Sequence, residues 1–346
     1  MAGRLILAGD VNLMNVTDPT VPFRHVAAEL HSADVVFANL ECCLHLPARA
    51  QSHATEGFFA DPTVGGEALR RSGIHAVGIA NNVNYGADNI AASIARLDQL
   101  GVLHTGAGPD LAAARAPAVI ARNGLRVGVV QRSSVYWPTD HEAHADSPGI
   151  AVIRGHTAYH VPMGRIAPGV PPPNRPGVPP VIVTWADPDY LAEFRNDIAA
   201  LRPQVDIVVA SCHWGLGREP LQYMTDIAHA AIDAGADVVI GHGPHYPLPV
   251  EVYKGRPIFY GLCNLTFATG HHGRKHAGWI GLMAELSFER GAVAGCHFRL
   301  VRSNGNDESF FCRPADEAET LADLGARSGK LGASFKPDGD RVYIEP

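Results

Sequence analysis

No unbroken run of 18 or more apolar residues occurs, so the sequence offers no transmembrane helix. Positive charge is in the minority: 28 Lys and Arg against 35 Asp and Glu give a formal charge of -7, which excludes the broad cationic surface that a nucleic-acid partner requires. The apolar segment 5–8 is too short for the core of a signal peptide, so neither export signal nor membrane anchor is expected. The six cysteines lack the spacing of a zinc knuckle or a disulfide framework: Cys42 and Cys43 are adjacent, and Cys212, Cys263, Cys296 and Cys312 are far apart. A reduced, cytoplasmic chain is the expectation. No Gly-x-Ser-x-Gly elbow is present and Cys212 falls at the end of an expected strand, so no serine or cysteine nucleophile is indicated. No internal repeat is visible.

What the sequence has is 46% hydrophobic residues, a length of 346 that permits one large domain or two smaller ones, and 18 histidines. Short Val- and Ile-rich runs at 5–8, 35–38, 76–80, 127–130, 207–210 and 238–240 read as buried strands. Helical patterns lie between them. In 88–100, Ile90, Ile94 and Leu97 share one face behind Asp88 as the expected cap; in 220–234, Leu221, Met224, Ile227, Ala228 and Ala231 do so. This alternation predicts an α/β fold. Hairpins are expected at Asn123-Gly124, Lys254-Gly255 and Asp338-Gly339, and an antiparallel pair over 282–300 about Gly291. Eight prolines in 156–180 predict an extended loop, either a solvated insertion or a lid.

Polar residues follow the apolar runs in a pattern. Residues 5–8 lead into Asp10 and Asn12, 35–38 into Asn39 and Glu41, 76–80 into Asn81 and Asn82, 207–210 into His213, and 238–240 into His242 and His245. Open α/β sheets bind ligands at the carboxyl ends of their strands, so these side chains should converge. Taken singly each reads as a turn, a cap or a packing residue; five strand ends with compatible donors point to a metal site. The expected ligands are Asp10, Glu41, Asn82, His213, His242 and His245, with Asn12 a further candidate. Mixed oxygen and imidazole donors without thiolate suit Mn, Fe, Zn or Co, and leave the metal's identity open. Six ligands exceed the needs of one tetrahedral ion, and a bridging carboxylate from Asp10 or Glu41 would hold two divalent ions.

The motifs Gly9-Asp10-Val11, Asn39-Leu40-Glu41, Ala80-Asn81-Asn82, His104-Thr105-Gly106-Ala107-Gly108, His213-Trp214-Gly215, Gly241-His242-Gly243-Pro244-His245 and the segment 258–267 with Asn264 occur in an order that resembles the CapA-type proteins of poly-γ-glutamate capsule biosynthesis. The resemblance implies a calcineurin-like metallophosphoesterase architecture, a four-layer α-β-β-α sandwich with a two-metal site at one edge. It implies the six ligands above, with Asn39 and Asn264 orienting them or touching substrate. A catalytic domain over 1–300 and a carboxyl-terminal extension over 301–346, packed on the same domain, are expected. The family's Ala-Asn-Asn-His becomes Ala80-Asn81-Asn82-Val83 here, and an apolar side chain donates no proton. Acid assistance would then fall to His104, His160 or a histidine within 271–276.

The chemistry expected is metal-assisted hydrolysis, with a metal-bridged hydroxide attacking an amide or peptide-like bond in a γ-glutamyl or other carboxylate-bearing substrate, or a phosphoester. His104, His213 and Asn39 are the catalytic candidates. Trp214, Asn264, Tyr136 and Arg132 are the substrate-binding ones, with Trp137, Arg218 and Arg256 as further possibilities. Two rivals stay open: a non-catalytic metal-containing protein of a polymer-synthesis complex, and a biosynthetic enzyme that forms or rearranges an amide or ester in a small-molecule pathway. The partner expected is a small-molecule or peptide-like substrate; the oligomeric state is left open.

Overall fold

The computed structural model describes residues 2–47, 57–162, 164, 168–169, 176–289 and 292–345. Two sheets dominate. The first has ten strands, eight of them in the path Ser334–Asp338, Arg341–Glu345, Ala292–Ser303, Gly281–Glu289, Ala2–Asn12, Val35–Leu40, Ala76–Gly78, Leu103–Thr105. Asn264–Phe267 pairs with the strand Ala2–Asn12, and Ser309–Cys312 with Ala292–Ser303. The second sheet has six strands, ordered Leu248–Tyr253, Arg256–Gly261, Val238–His242, Ile207–His213, Leu125–Ser133, Ala118–Arg122.

Alternation within the apolar runs explains how the sheets stack. Leu5, Leu7, Val35 and Phe37 face Val127, Val129, Ile207, Val209, Val238 and Ile240 in one core between the sheets. Ile6, Ala8, Val36 and Ala38 turn outward and pack with Leu69, Ile90 and Leu97 of the helices Val64–Ser72 and Ala87–Leu100. Val208 and Ala210 turn outward on the other side, against Phe194, Ile198, Met224 and Ile227 of Pro188–Leu201 and Gln222–Asp233. The result is the four-layer α/β sandwich expected. Strands buried on both faces are apolar throughout, which is why their interiors carry no periodic polar residue.

Local expectations fare unevenly. The hairpins at Asn123-Gly124 and Lys254-Gly255 form, with positive φ at both central residues. Ser334–Asp338 pairs with Arg341–Glu345 across Gly339, and Gly281–Glu289 with Ala292–Ser303; Gly291 itself lies outside the described residues. Asp88 is not a cap: the helix begins at Ala87 behind Gly86, whose φ of 90° no capping side chain would favour. The segment 156–180 is not loop throughout, because its start belongs to Gly155–His160, antiparallel to Val181–Ala186. The triple proline 171–173 lies outside the described residues. The boundary expected at residue 300 falls inside the strand Ala292–Ser303, and Leu324 and Val342 beyond it enter the core between the sheets. Among the described residues no helix is long and apolar enough to cross a membrane.

Candidate metal centre

The parallel strands of both sheets end at one edge, and the chain itself joins the sheets there. After the strand Arg256–Gly261 of the second sheet, Cys263 adopts a φ of 60° and Asn264 enters the first sheet opposite Asp10. Cys263 accepts the Asp10 N–H at 2.8 Å. A Cβ on Gly9 would stand 1.9 Å from that carbonyl, so only glycine permits the approach.

Asp10 is fully buried and lies between two sets of donors. Its Oδ1 is 3.5 Å from His242 Nδ1, and its Oδ2 is 3.4 Å from His245 Nδ1. Ligand atoms of Asp10, His213 and His242 all lie within 4.8 Å of one another; so do those of Asp10, Glu41 and His245. His213 and His242 bring their Nδ1 atoms to 3.0 Å, and His213 Nε2 is 2.8 Å from Asn82 Oδ1. His245 Nε2 is 3.7 Å from Glu41 Oε1, and its ring is the open side of the cluster, about 20% exposed. Its φ of 58° is unusual for a residue with a side chain and turns the imidazole inward.

Supporting contacts fix these groups. Asn39 donates to Asp10 Oδ1 at 2.8 Å, and its own Oδ1 accepts from Gln131 Nε2 at 2.9 Å and Asn81 Nδ2 at 3.2 Å. Ser211 Oγ lies 2.9 Å from His242 Nε2, and Asn264 Oδ1 is 2.9 Å from His245 Nδ1. Two buried atoms at the cluster, Glu41 Oε2 and Asn264 Nδ2, have no hydrogen-bond partner among the described residues. Polar atoms left bare in an interior are costly unless a ligand completes them.

The electrostatics follow from crowding. Burial would raise the Asp10 pKa, but the His245 hydrogen bond and the three imidazoles hold it well below the usual carboxylate range. Burial and then the Asp10 charge push Glu41 well above that range. Burial pushes His213 down to about 3, with His242 adding to the effect, and His242 down to about 4 against the pull of Asp10. Burial would lower His245, yet its contact with Asp10 leaves it raised.

The structure therefore gathers Asp10, Glu41, Asn82, His213, His242 and His245, together with Asn39 and Asn264. It does not gather the others. His104 is held at 3.3 Å by Asp98 of the neighbouring helix, because its strand pairs with Ala76–Gly78 upstream of the loop that carries Asn82. Trp214 is fully buried, donates to the Tyr260 carbonyl and stacks on that ring, so it is core. Arg132 is buried against Asp197, beneath the helix bearing Phe194, and faces away from the edge. Tyr136 packs near Arg154, whose guanidinium lies 5.9 Å from its ring centroid. Asn12 is spent on Met14 N–H and the Thr269 carbonyl. Arg256 is paired with Asp237, and exposed His160 stands in the strand paired with Val181. Val83 is buried as part of the core that also contains Ile79 and Ile90. Trp137 does reach the loop, donating to the Asn82 carbonyl at 2.9 Å. His276, one of the histidines expected within 271–276, lies beside His245 with ring centroids 5.4 Å apart. Gln131 and Ser211 were not singled out by sequence; Gln131 follows the run 127–130 just as Asn39 follows 35–38, so the same strand-end rule would have found it.

The model of the bacterial capsule synthesis protein family PGA_cap matches residues 2–269. The chain belongs to this family. A probable polyglutamine synthesis accessory protein of Mycobacterium tuberculosis is 32% identical over 194 residues, 54% of this chain and 43% of the relative. The capsule biosynthesis protein CapA of Bacillus anthracis is 24% identical over 280 residues, 78% and 59% of the two chains. The PGA biosynthesis protein CapA of Bacillus subtilis is 41% identical over 99 residues, 28% and 24%. The matches thus take in less than two thirds of each relative's length.

Proposed function

We propose that this PGA_cap-family chain is a metal-dependent hydrolase acting on an amide or peptide-like bond, γ-glutamyl or otherwise carboxylate-bearing, with phosphoesters as the other substrate class. The supporting observation is Asp10, a buried carboxylate whose two oxygens face different donor groups. Asp10, Asn82, His213 and His242 would hold one divalent ion, and Asp10, Glu41 and His245 a second. Mixed nitrogen and oxygen donors fit Mn, Fe, Zn or Co, and the bare Glu41 Oε2 and Asn264 Nδ2 fit a site completed by a metal and its substrate. When bound, such ions bring the pKa of water to about 7 and polarise a substrate oxygen. Asn39 steadies the shared carboxylate, Ser211 leaves His242 Nδ1 facing inward, and Asn264 aims His245.

The test is metal analysis of purified protein followed by turnover of phosphoesters and γ-glutamyl peptides. Turnover that Asp10→Ala and His213→Ala abolish supports the reading. A second reading, a metal-containing accessory protein without turnover, is favoured by the buried apolar Val83 and by the accessory role in the name of the Mycobacterium relative. Stoichiometric metal with no turnover on any substrate would select it.

A further inference from the structure

We infer that Arg218 is the carboxylate anchor of a substrate pocket between the donor cluster and the carboxyl-terminal helix Ala318–Gly329; this rests on the hydrolase reading and adds how its substrate is held. A cavity of about 640 Å³ opens there, lined by His245 and His276, by Arg218 and Tyr246, and by Asp323 and Arg327 of the helix. That volume lies within the range of small-molecule sites. Because His245 belongs both to the cluster and to the cavity wall, a molecule in the cavity meets the cluster directly.

Three arginines line the cavity, and their partners separate them. Arg302 is held by both oxygens of Glu317, and Arg327 by Asp323 at 2.8 Å. Arg218 has no carboxylate partner among the described residues. Its guanidinium lies 4.5 Å from the Tyr246 ring centroid, and Arg327 Nη1 donates to its backbone carbonyl at 2.8 Å. The aromatic face orients the planar group, the helix holds the loop, and the guanidinium's donors meet no acceptor among the described residues. A planar cation so placed suits a bidentate carboxylate. The other sequence candidates for this task are spent, Arg132 on Asp197 and Arg256 on Asp237.

A second polar group points the same way. His276 Nε2 is buried without a partner among the described residues, and its ring meets His245 edge-on with centroids 5.4 Å apart. The cavity thus offers both a cation and an imidazole beside the cluster. Glu319 is the acidic lining residue that has no ion pair among the described residues, so a single carboxylate suits the cavity better than a polyanion.

The experiment compares γ-glutamyl p-nitroanilide, with its free α-carboxylate, and its α-carboxamide analogue. The metal-loaded full chain is studied by calorimetric binding and by hydrolysis. The wild type should prefer the carboxylate about tenfold or more in both Kd and kcat/KM. Arg218→Gln should bring that ratio towards one through Kd and KM, and Arg218→Lys should restore part of it. Equal binding of the two probes, binding of neither, or an undiminished preference in Arg218→Gln overturns the assignment. Arg218-dependent binding without cleavage upholds the pocket and refutes hydrolysis of γ-glutamyl amides; cleavage of both probes alike does the reverse.

Discussion

Replacing Gln131 with methionine removes an amide from between the two sheets while keeping its volume. Gln131 is fully buried; its Oε1 accepts the Ala80 N–H at 2.7 Å and its Nε2 donates to Asn39 Oδ1 at 2.9 Å. In Gln131→Met the Ala80 N–H is left bare in the interior, at a cost of about 1–3 kcal/mol, and Asn39 loses one of two donors, a further ~1 kcal/mol. The apolar methionine recovers part of this through burial, about 1 kcal/mol, so a net loss of about 2 kcal/mol is expected. Asn39 also steadies Asp10, so metal affinity should fall about 10- to 100-fold. Urea unfolding of the metal-free variant and competition with a chelating dye read the two effects separately. Unchanged stability together with unchanged affinity would refute the view that Gln131 organises the cluster from the second sheet.

Further outcomes follow from the same geometry. Glu41 and His245 both have raised pKa values, so the stability they lend the metal-free fold is full at low pH and is lost as pH rises through those raised values. Metal must displace their protons; loading near neutral pH should release protons and weaken as pH falls from about 7 to 5, and calorimetry in buffers of different ionisation enthalpy that detects no release would count against it. Val83→His places an imidazole in the apolar core and should destabilise the protein by about 2 kcal/mol or more without raising turnover; a gain in rate would mean the side chain reaches the cluster. Arg132→Met should alter the urea midpoint and leave KM unchanged, because Asp197 rather than substrate is the partner; a raised KM contradicts that placement.

The strands were legible because burial on both faces leaves an apolar run that ends abruptly where the chain meets the edge. Asp10, Glu41, Asn82, His213 and His242 stand just past those ends, so position relative to the runs was enough to group them. Arg132 obeys the same rule of position yet points away, since alternate residues of a strand face opposite sides and it meets the helix bearing Phe194, while Trp214, one residue past its strand, packs on Tyr260. His104 was a candidate through the motif 104–108 rather than through a strand end, and its strand is an edge strand in which Asp98 competes for the ring. Arg218 could not be separated from Arg132 and Arg256 by sequence, because only folding shows which guanidinium is already paired. At the carboxyl-terminal end, Ser309–Cys312 pairs with Ala292–Ser303 as a local hairpin, whereas Arg341–Glu345 meets that strand from more than 40 residues away, a contact that no local pattern encodes.

The most direct measurement is the number of metal ions per chain in wild type, His213→Ala and Asp10→Ala, by elemental mass spectrometry after reconstitution. A shared Asp10 predicts two ions in the wild type, close to one in His213→Ala and close to none in Asp10→Ala. An Asp10→Ala protein that folds and still binds two ions, or a wild type that cannot be loaded, would contradict the account.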